Sequence, residues 1–243
     1  MSPAALCRVV VVALLALYVL PAGAGWEAAN AAYGKSDFVT AMKELRPLAE
    51  RGDVNAQYNV GVMYGQGDGV ERNDPEALKW FRKAAQQGHV SAQMNLGIIY
   101  SRDGGVPRND AMAATWYRKA TEQGQVVAQY NLGVMYGAGR GVHQDDAKAA
   151  TRYRKAAERG LPDAQFQLGI TIGAGQGVPR DFVEAYLWLE HAAIQGVASA
   201  VQKKEVLSLA MIGAQVVNAE ARVREGSLWS GAEEQAVPLD LAP

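Results

Sequence analysis

Ala56-Gln57-Tyr58-Asn59-Val60-Gly61 decides the fold because it does not stand alone. The same columns return as Ala92 to Gly97, Ala128 to Gly133 and Ala164 to Gly169, each 36 residues on and without insertion. Other columns keep the step. Tyr64, Tyr100 and Tyr136 align, with Ile172 in the fourth unit, and Trp80, Trp116 and Trp188 align, with Arg152 as the exception. Gly69-Val70, Gly105-Val106, Gly141-Val142 and Gly177-Val178 align, and Gly88, Gly124, Gly160 and Gly196 close the units. A sustained period of this length marks a repeat architecture, whose units cannot bury their apolar faces singly.

Each unit reads as two helices. In the first, Ala56, Val60, Gly61 and Tyr64 recur at helical period and form one inward face. A mid-helix glycine costs about 1 kcal/mol relative to alanine. Its return at 61, 97, 133 and 169 predicts a partner too close for a side chain. The second helix begins at Asn73, Asn109, Asp145 and Asp181, whose side chains can accept the free N–H groups of a first turn. Glu76 and Glu184, three residues on, are expected to complete capping boxes. Pro75 fits the first turn, where its missing N–H costs nothing. Ala77, Trp80, Phe81, Ala84 and Ala85 make the apolar stripe, and Gly88 is expected to end the helix with positive φ. The fold class is therefore all-α, a right-handed solenoid of antiparallel helix pairs whose stability comes from contacts between neighbours.

Composition excludes several function classes. The chain has 243 residues, 24 basic and 25 acidic, for a net charge of −1. That balance offers no electrostatic attraction for nucleic acid or an anionic membrane surface. Of the 26 glycines, 18 fall in the 61, 65, 67, 69 and 88 columns, so they are turns and close contacts rather than linkers. A single cysteine, Cys7, excludes a disulfide framework.

The ends read differently. Arg8 precedes an apolar run from Val9 to Leu20, Pro21 breaks it, and Ala22-Gly23-Ala24 supplies small residues at the −3 and −1 positions. This is the layout of a signal peptide over residues 1–24, cleaved after Ala24, with the mature protein periplasmic or secreted. As a helix the apolar run reaches only ~18 Å, short of a ~30 Å hydrocarbon core, and no later stretch spans a membrane. Residues 25–53 read as a degenerate helix pair and 54–89, 90–125, 126–161 and 162–197 as the four repeats. Residues 198–225 read as capping helices and 226–243 as a disordered tail.

The motif A-Q-x-N-L-G-x-x-Y, then G-x-G-V, then A-x-x-W-Y-R-K-A-A and a closing glycine resembles the Sel-1-like repeat family, relatives of the tetratricopeptide repeat. The resemblance covers residues 54–197 and implies a solenoid that binds protein or peptide partners. In related solenoids the other face of the first helices lines a concave groove. Here that face holds Tyr58, Asn59 and Val62, then Met94, Asn95, Ile98 and Arg102, then Tyr130, Asn131 and Val134, then Phe166 and Gln167. The amides can serve an extended backbone in both donor and acceptor roles. The rings either line the groove or fill seams between repeats. Arg102 is the one nearby base, too little for the multi-residue clamp with which some tetratricopeptide domains hold an acidic C-terminus.

Other candidate chemistry is weak. Gly65 to Gly69 lacks the preceding strand of a phosphate loop. His89, His143 and His191 occupy three different columns, so no metal or cofactor is expected. No nucleophile–base pair stands out, and the cysteine pairs of β-lactam-linked relatives are missing. The basic pairs Arg82-Lys83, Arg118-Lys119 and Arg154-Lys155 suit helix C-termini or an acidic partner. The expected function is a monomeric, non-enzymatic adaptor in the bacterial envelope, regulating a sensor or supporting exopolysaccharide processes. The alternatives are a cell-wall or β-lactam hydrolase, and a structural spacer or host-interaction protein.

Overall fold

The structure is a computed structural model that describes residues 22–103 and 105–224. Most of the expected signal peptide, up to position 21, and the whole of the expected tail, 226–243, lie outside the described residues. Twelve α-helices and no strand occur among those described. They are α1 (Ala22–Gly34), α2 (Phe38–Glu50), α3 (Val54–Gln66), α4 (Asp74–Gln86), α5 (Val90–Ser101) and α6 (Asp110–Glu122), then α7 (Val126–Ala138), α8 (Asp146–Glu158), α9 (Pro162–Ala174), α10 (Phe182–Ile194), α11 (Ala198–Ala210) and α12 (Gly213–Arg224). From α2 to α10, each even helix packs between the odd helix before it and the odd helix after it. The result is the all-α solenoid of helix pairs read from the 36-residue period. At its end, α12 packs on α10 through Ala219, Val216, Tyr186 and Phe182.

Local signals set the helix ends. The side chains of Asn73, Asn109, Asp145 and Asp181 accept from Glu76, Met112, Lys148 and Glu184 N–H at 2.9, 3.0, 2.9 and 2.9 Å. Gly88, Gly124, Gly160 and Gly196 follow the even helices with positive φ. The expected capping box at Glu76 does not form. The Asn73 N–H is taken by the Tyr64 carbonyl at 2.8 Å, and the same link joins Asn109 to Tyr100 and Asp145 to Tyr136. Because the carbonyl of the preceding helix already satisfies this donor, the glutamate is released for lateral pairing, Glu76 with Lys79 at 2.5 Å. Glu184, expected to do the same, accepts from Arg154 at 2.6 Å and from the Trp188 indole at 3.3 Å.

The glycine columns carry the packing. A methyl group on Gly61, Gly97 or Gly133 would sit 2.8, 2.4 or 2.8 Å from the ring of Phe81, Tyr117 or Tyr153, and on Gly169 it would sit 2.8 Å from Leu189. The close partner is thus a side chain of the second helix, aromatic in three of the four units, in contact with the glycine backbone. Between units, Gly141 and Gly177 have positive φ, and a methyl on either would lie 2.2 Å from the backbone carbon of Asp110 or Asp146. Each inter-helix loop therefore rests on the first turn of the preceding even helix.

A buried amide relay adds a polar clamp. Gln57, Gln93, Gln129 and Gln165 are buried inside the apolar layer. Three of them donate eight residues back, to the carbonyls of Ala49, Ala85 and Ala157, at 3.1, 3.2 and 3.3 Å. Their Oε1 atoms accept from Gln87, Gln123 and Gln195 at 2.8, 2.9 and 2.7 Å. The third unit has Arg159 in that donor column, and Gln129 Oε1 is buried with no partner. An unpaired buried acceptor costs more than a made hydrogen bond gains.

Two stability predictions follow from these contacts. Gly97→Leu should lower stability by roughly 1–3 kcal/mol in urea unfolding through overpacking against Tyr117. Gly97→Ala should also destabilise, although alanine is the better helix former; a gain in stability would contradict the ring contact. Arg159→Gln should raise stability by about 1 kcal/mol by supplying the missing donor to Gln129. An unchanged urea midpoint would show that Gln129 is satisfied otherwise.

Candidate functional site: the groove along the odd helices

Packing the Gly61 column against the even helices turns the 58, 59 and 62 columns to another face. There, three successive depressions open between neighbouring units. The first, about 520 Å³, has an apolar floor of Tyr58, Val62, Phe81, Ile98 and Val106, with Asn95, Arg102 and Asp103 among its polar lining. The second, about 470 Å³, is lined by Met94, Ile98, Tyr130 and Val134, with Asn131, Arg102, Arg140 and Asp163. The third, about 320 Å³, includes Val134, Tyr153, Ile170 and Gln167. Ile98 and Arg102 line both the first and the second, and Val134 lines both the second and the third, so the depressions run on as one groove.

Ten of the twelve residues expected in the groove line these depressions, and Asn59 and Phe166 do not. Asn59 is half-buried. Phe166 packs instead into the seam formed by Leu189, Ala192, Ala200 and Leu207. Tyr58 and Tyr130 combine both roles that the sequence left open. Tyr58 lies against Phe81, with ring centroids 5.8 Å apart, and stacks on His89 at 4.4 Å, while its edge lines the first depression. Tyr130 meets Tyr153 at 5.9 Å and lines the second. Both are half-buried, which leaves ring area for a ligand at little further cost in side-chain entropy.

The amides also serve the fold. Burial pushes the Tyr117 hydroxyl above its ordinary range, opposed by Ser101, Arg102, Arg140 and Asn131. Tyr130 is raised by burial and Asp163, with Gln167 opposing as a hydrogen-bond neighbour. Tyr153 is pushed up to about 12, chiefly by burial, then by Tyr130 and Asp146. The Tyr117, Tyr130 and Tyr153 hydroxyls therefore stay protonated and act as neutral hydrogen-bonding groups.

Three of the charges that line the groove, Arg72, Asp74 and Arg140, are already paired. Arg72 forks onto Asp74 at 3.1 and 3.3 Å, and Asp74 also accepts from Gly105 N–H at 3.3 Å. Arg140 reaches Asp110 at 3.1 Å and the Ser101 carbonyl at 3.2 Å. Arg108 and Arg140 together hold the Asp110 carboxyl at about 2. Part of the basic column on the even helices is likewise engaged within the molecule. Lys83 and Lys119 sit over the rings of Trp80 and Trp116 at 4.1 and 4.7 Å, and Arg82 donates to the Tyr100 hydroxyl at 2.5 Å. Cation–ring contacts of this kind contribute about 0.5–1 kcal/mol at exposed sites.

Among the described residues, no group of three or more His, Cys, Asp or Glu converges as a metal site would require. Sequence reasoning missed the part played by His89. It caps α5, its Nδ1 accepting from Ala92 N–H at 3.2 Å while its ring stacks on Tyr58. The signal was available: the 53, 89, 125 and 161 column precedes every inner odd helix, and Asp53 accepts from Ala56 N–H at 2.8 Å in the same position.

An accepting Nδ1 requires a neutral ring, and burial lowers the His89 pKa from its ordinary 6.5. The cap is therefore complete above about pH 6.5 and is lost as pH falls through the lowered folded value. His89→Asn keeps a capping side chain that does not titrate. Thermal melts between about pH 7 and 5 should show wild type losing more stability than the variant. Parallel declines would mean that the His89 cap does not carry this pH dependence.

Comparison with known proteins places this geometry. The Sel1 repeat model matches residues 54–89, 90–125, 126–161 and 162–197. No curated protein matches the chain. Among solved structures, it resembles a protective antigen present in uropathogenic Escherichia coli strains that displays an SLR fold, at 33% identity and a TM-score of 0.67. That match covers 82% of this chain and 46% of the antigen, so the chain spans less than half of that relative's length. It also resembles a Sel1 repeat protein from Oxalobacter formigenes, at 34% identity and a TM-score of 0.66, over 74% of this chain and 72% of that one. Four consecutive matches in register, on a solenoid of the same architecture, show that the chain belongs to the Sel1 repeat family.

Proposed function

We propose that this protein is a monomeric, non-enzymatic adaptor of the bacterial envelope that holds a protein or peptide partner in the groove along α3, α5, α7 and α9. The observation that carries the reading is the continuity of the groove: three depressions share lining residues and combine apolar floors with amides. Such a surface fits an extended ligand, because apolar area supplies affinity and amides serve the ligand backbone. The repeat family itself builds protein-interaction scaffolds.

The lining supports binding over catalysis. Arg72, Asp74, Arg140 and Asp110 are tied into ion pairs that fix the loops. Ser101 donates its hydroxyl to the Ile98 carbonyl at 2.9 Å and lies 3.5 Å from the Tyr117 hydroxyl, and among the described residues no His, Asp or Glu is within hydrogen-bonding reach of it. Export is supported by the Val9–Leu20 run and Ala22-Gly23-Ala24. Among the described residues, no helix is long and apolar enough to cross a membrane. Within the envelope, sensor regulation or support of polysaccharide export fits an adaptor. Contact with a host is the second reading, favoured by the solved neighbour that is a protective antigen.

A photo-crosslinking residue at Asn95 or Asn131 should trap one partner in living cells, whereas the same probe at Thr115, exposed on α6, should trap none. Asn59, Asn95 and Asn131 changed together to alanine should reduce recovery of that partner several-fold. Equal crosslinking from Thr115 would remove the groove as the binding surface.

A further inference from the structure

We propose that residues 227–237 of this chain dock as a helix on the open face of α11, with Trp229 over Glu205 and between Val201 and Leu209. This surface is separate from the groove, so the proposal does not depend on the groove reading.

In a complete unit the second helix covers one face of the first. Gln57 meets Gln87, Gly61 faces the Phe81 ring and Gly65 lies nearest Ala77. In α11 the same columns hold Val201, Glu205 and Leu209. α11 packs on α10 and α9, and α12, the next helix, packs on α10 instead of covering this face. Among the described residues the face stays open. Val201 is 41% and Leu209 87% exposed, and Ile212, just past the helix, is 67% exposed. A repeat array needs polar ends to stay soluble, and a bare apolar end is a surface for association.

Shape and size select the occupant. These columns hold a helix in the other units. α11 is 13 residues long, and its face, about 20 Å by 10 Å, is far below the ~800 Å² that each partner gives to a stable interface between separate molecules. A segment of the same chain needs less area, because tethering raises its effective concentration. The chain also leaves α12 at the right place. Arg222 lines a depression with Asp181 and Val183 at the start of α10, and Leu207 and Met211, at the end of α11, pack on Phe182 and Tyr186 there. From Arg224 the stretch to Trp229 reaches up to ~17 Å when extended.

The sequence beyond α12 suits the face. Leu228-Trp229 with Ala232 repeats the spacing of Trp80-Phe81 with Ala84, Trp116-Tyr117 with Ala120 and Trp188-Leu189 with Ala192 in the second helices. Ala236 continues the stripe at helical period. Ser227 is an N-cap residue type, and Pro238 stops a helix. Gly231 and the short length make this helix unstable in isolation, so it depends on a surface to form. Charge favours the match. Residues 225–243 hold Glu225, Glu233, Glu234 and Asp240 and no base, whereas α11 and α12 carry Lys203, Lys204, Arg222 and Arg224 against Glu205 and Glu220. Glu205 occupies the glycine column, so the docked helix sits further out than Phe81 does on Gly61. The larger Trp229 spans that gap, and its indole N–H can donate to the Glu205 carboxylate.

The test is NMR of the isotopically labelled full chain, read at the Trp229 indole, which is identified by its loss in Trp229→Phe. That indole should show the high heteronuclear NOE of an ordered group. Leu209→Asp, at a position too exposed to disturb the fold, should lower the NOE to that of a flexible chain and leave the Trp80 and Trp116 indoles unmoved. A mobile Trp229 in wild type, or one that Leu209→Asp leaves unchanged, overturns the proposal. Dye binding is the second measurement. Trp229→Ser should raise anilinonaphthalene sulfonate fluorescence several-fold by baring α11, and adding Leu209→Asp should return it to the wild-type level. No rise in Trp229→Ser also overturns the proposal. A mobile Trp229 together with a dimer that Leu209→Asp dissociates would overturn it in favour of a second copy on this face.

Discussion

A ring laid against a glycine backbone sets the spacing on which the other contacts depend. Phe81 covers Gly61, Tyr117 covers Gly97 and Tyr153 covers Gly133, each within a distance that leaves no room for a methyl group. The helix pair is drawn together there, which brings Ala56, Ala77, Ala84 and their counterparts into a buried layer. Close approach also lets Gln57 and its counterparts meet their donors across the pair. With the glycine face fixed inward, helical geometry leaves the 58 and 62 columns on a neighbouring face, and the groove follows. In the fourth unit Leu189 replaces the ring and keeps the same approach to Gly169, so bulk at that point matters more than aromaticity.

The parts of the fold that were legible in the sequence are those encoded locally and repeated. Asn73 and its counterparts cap their helices as their residue types predict, and Gly88 and its counterparts take the positive φ expected. The capping box at Glu76 was misread because the competing acceptor, the Tyr64 carbonyl, lies nine residues upstream and arrives only by tertiary packing. Gln57 resisted reading for a related reason. A polar residue beside an apolar stripe looks like surface until its partner, Gln87, is seen folded over it.

The groove was legible to the same degree. Columns 59 and 62 follow from the helical period once the inward face is known. Which way a ring turns does not, because that depends on what the next unit offers. Tyr58 finds His89 and an open edge; Phe166 finds α11, where Ala200 and Leu207 leave a seam deep enough to hold it. The sequence of α11 has lost the repeat signature, so its packing surface could not be inferred by analogy with the earlier units. The Arg-Lys column shows the same limit. Its charges suited an acidic partner equally well until Lys83 and Lys119 were found over tryptophan rings.

In a solenoid this regular, the departures from the repeat are more informative than the repeat. Identical columns face identical neighbours, so the consensus residues are explained by packing alone. A residue that breaks its column removes a packing contact where one was made, and changes little where the position is exposed. Arg159 is of the first kind, leaving Gln129 unpaired. Arg152, in place of a tryptophan, also removes the ring that would sit beneath Lys155. Arg102 is different. Its counterparts in the first and third units are uncharged, and α5 ends one residue earlier than α3, α7 and α9. Arg102 stands exposed, and an exposed side chain can leave its column at little cost because no neighbour packs on it.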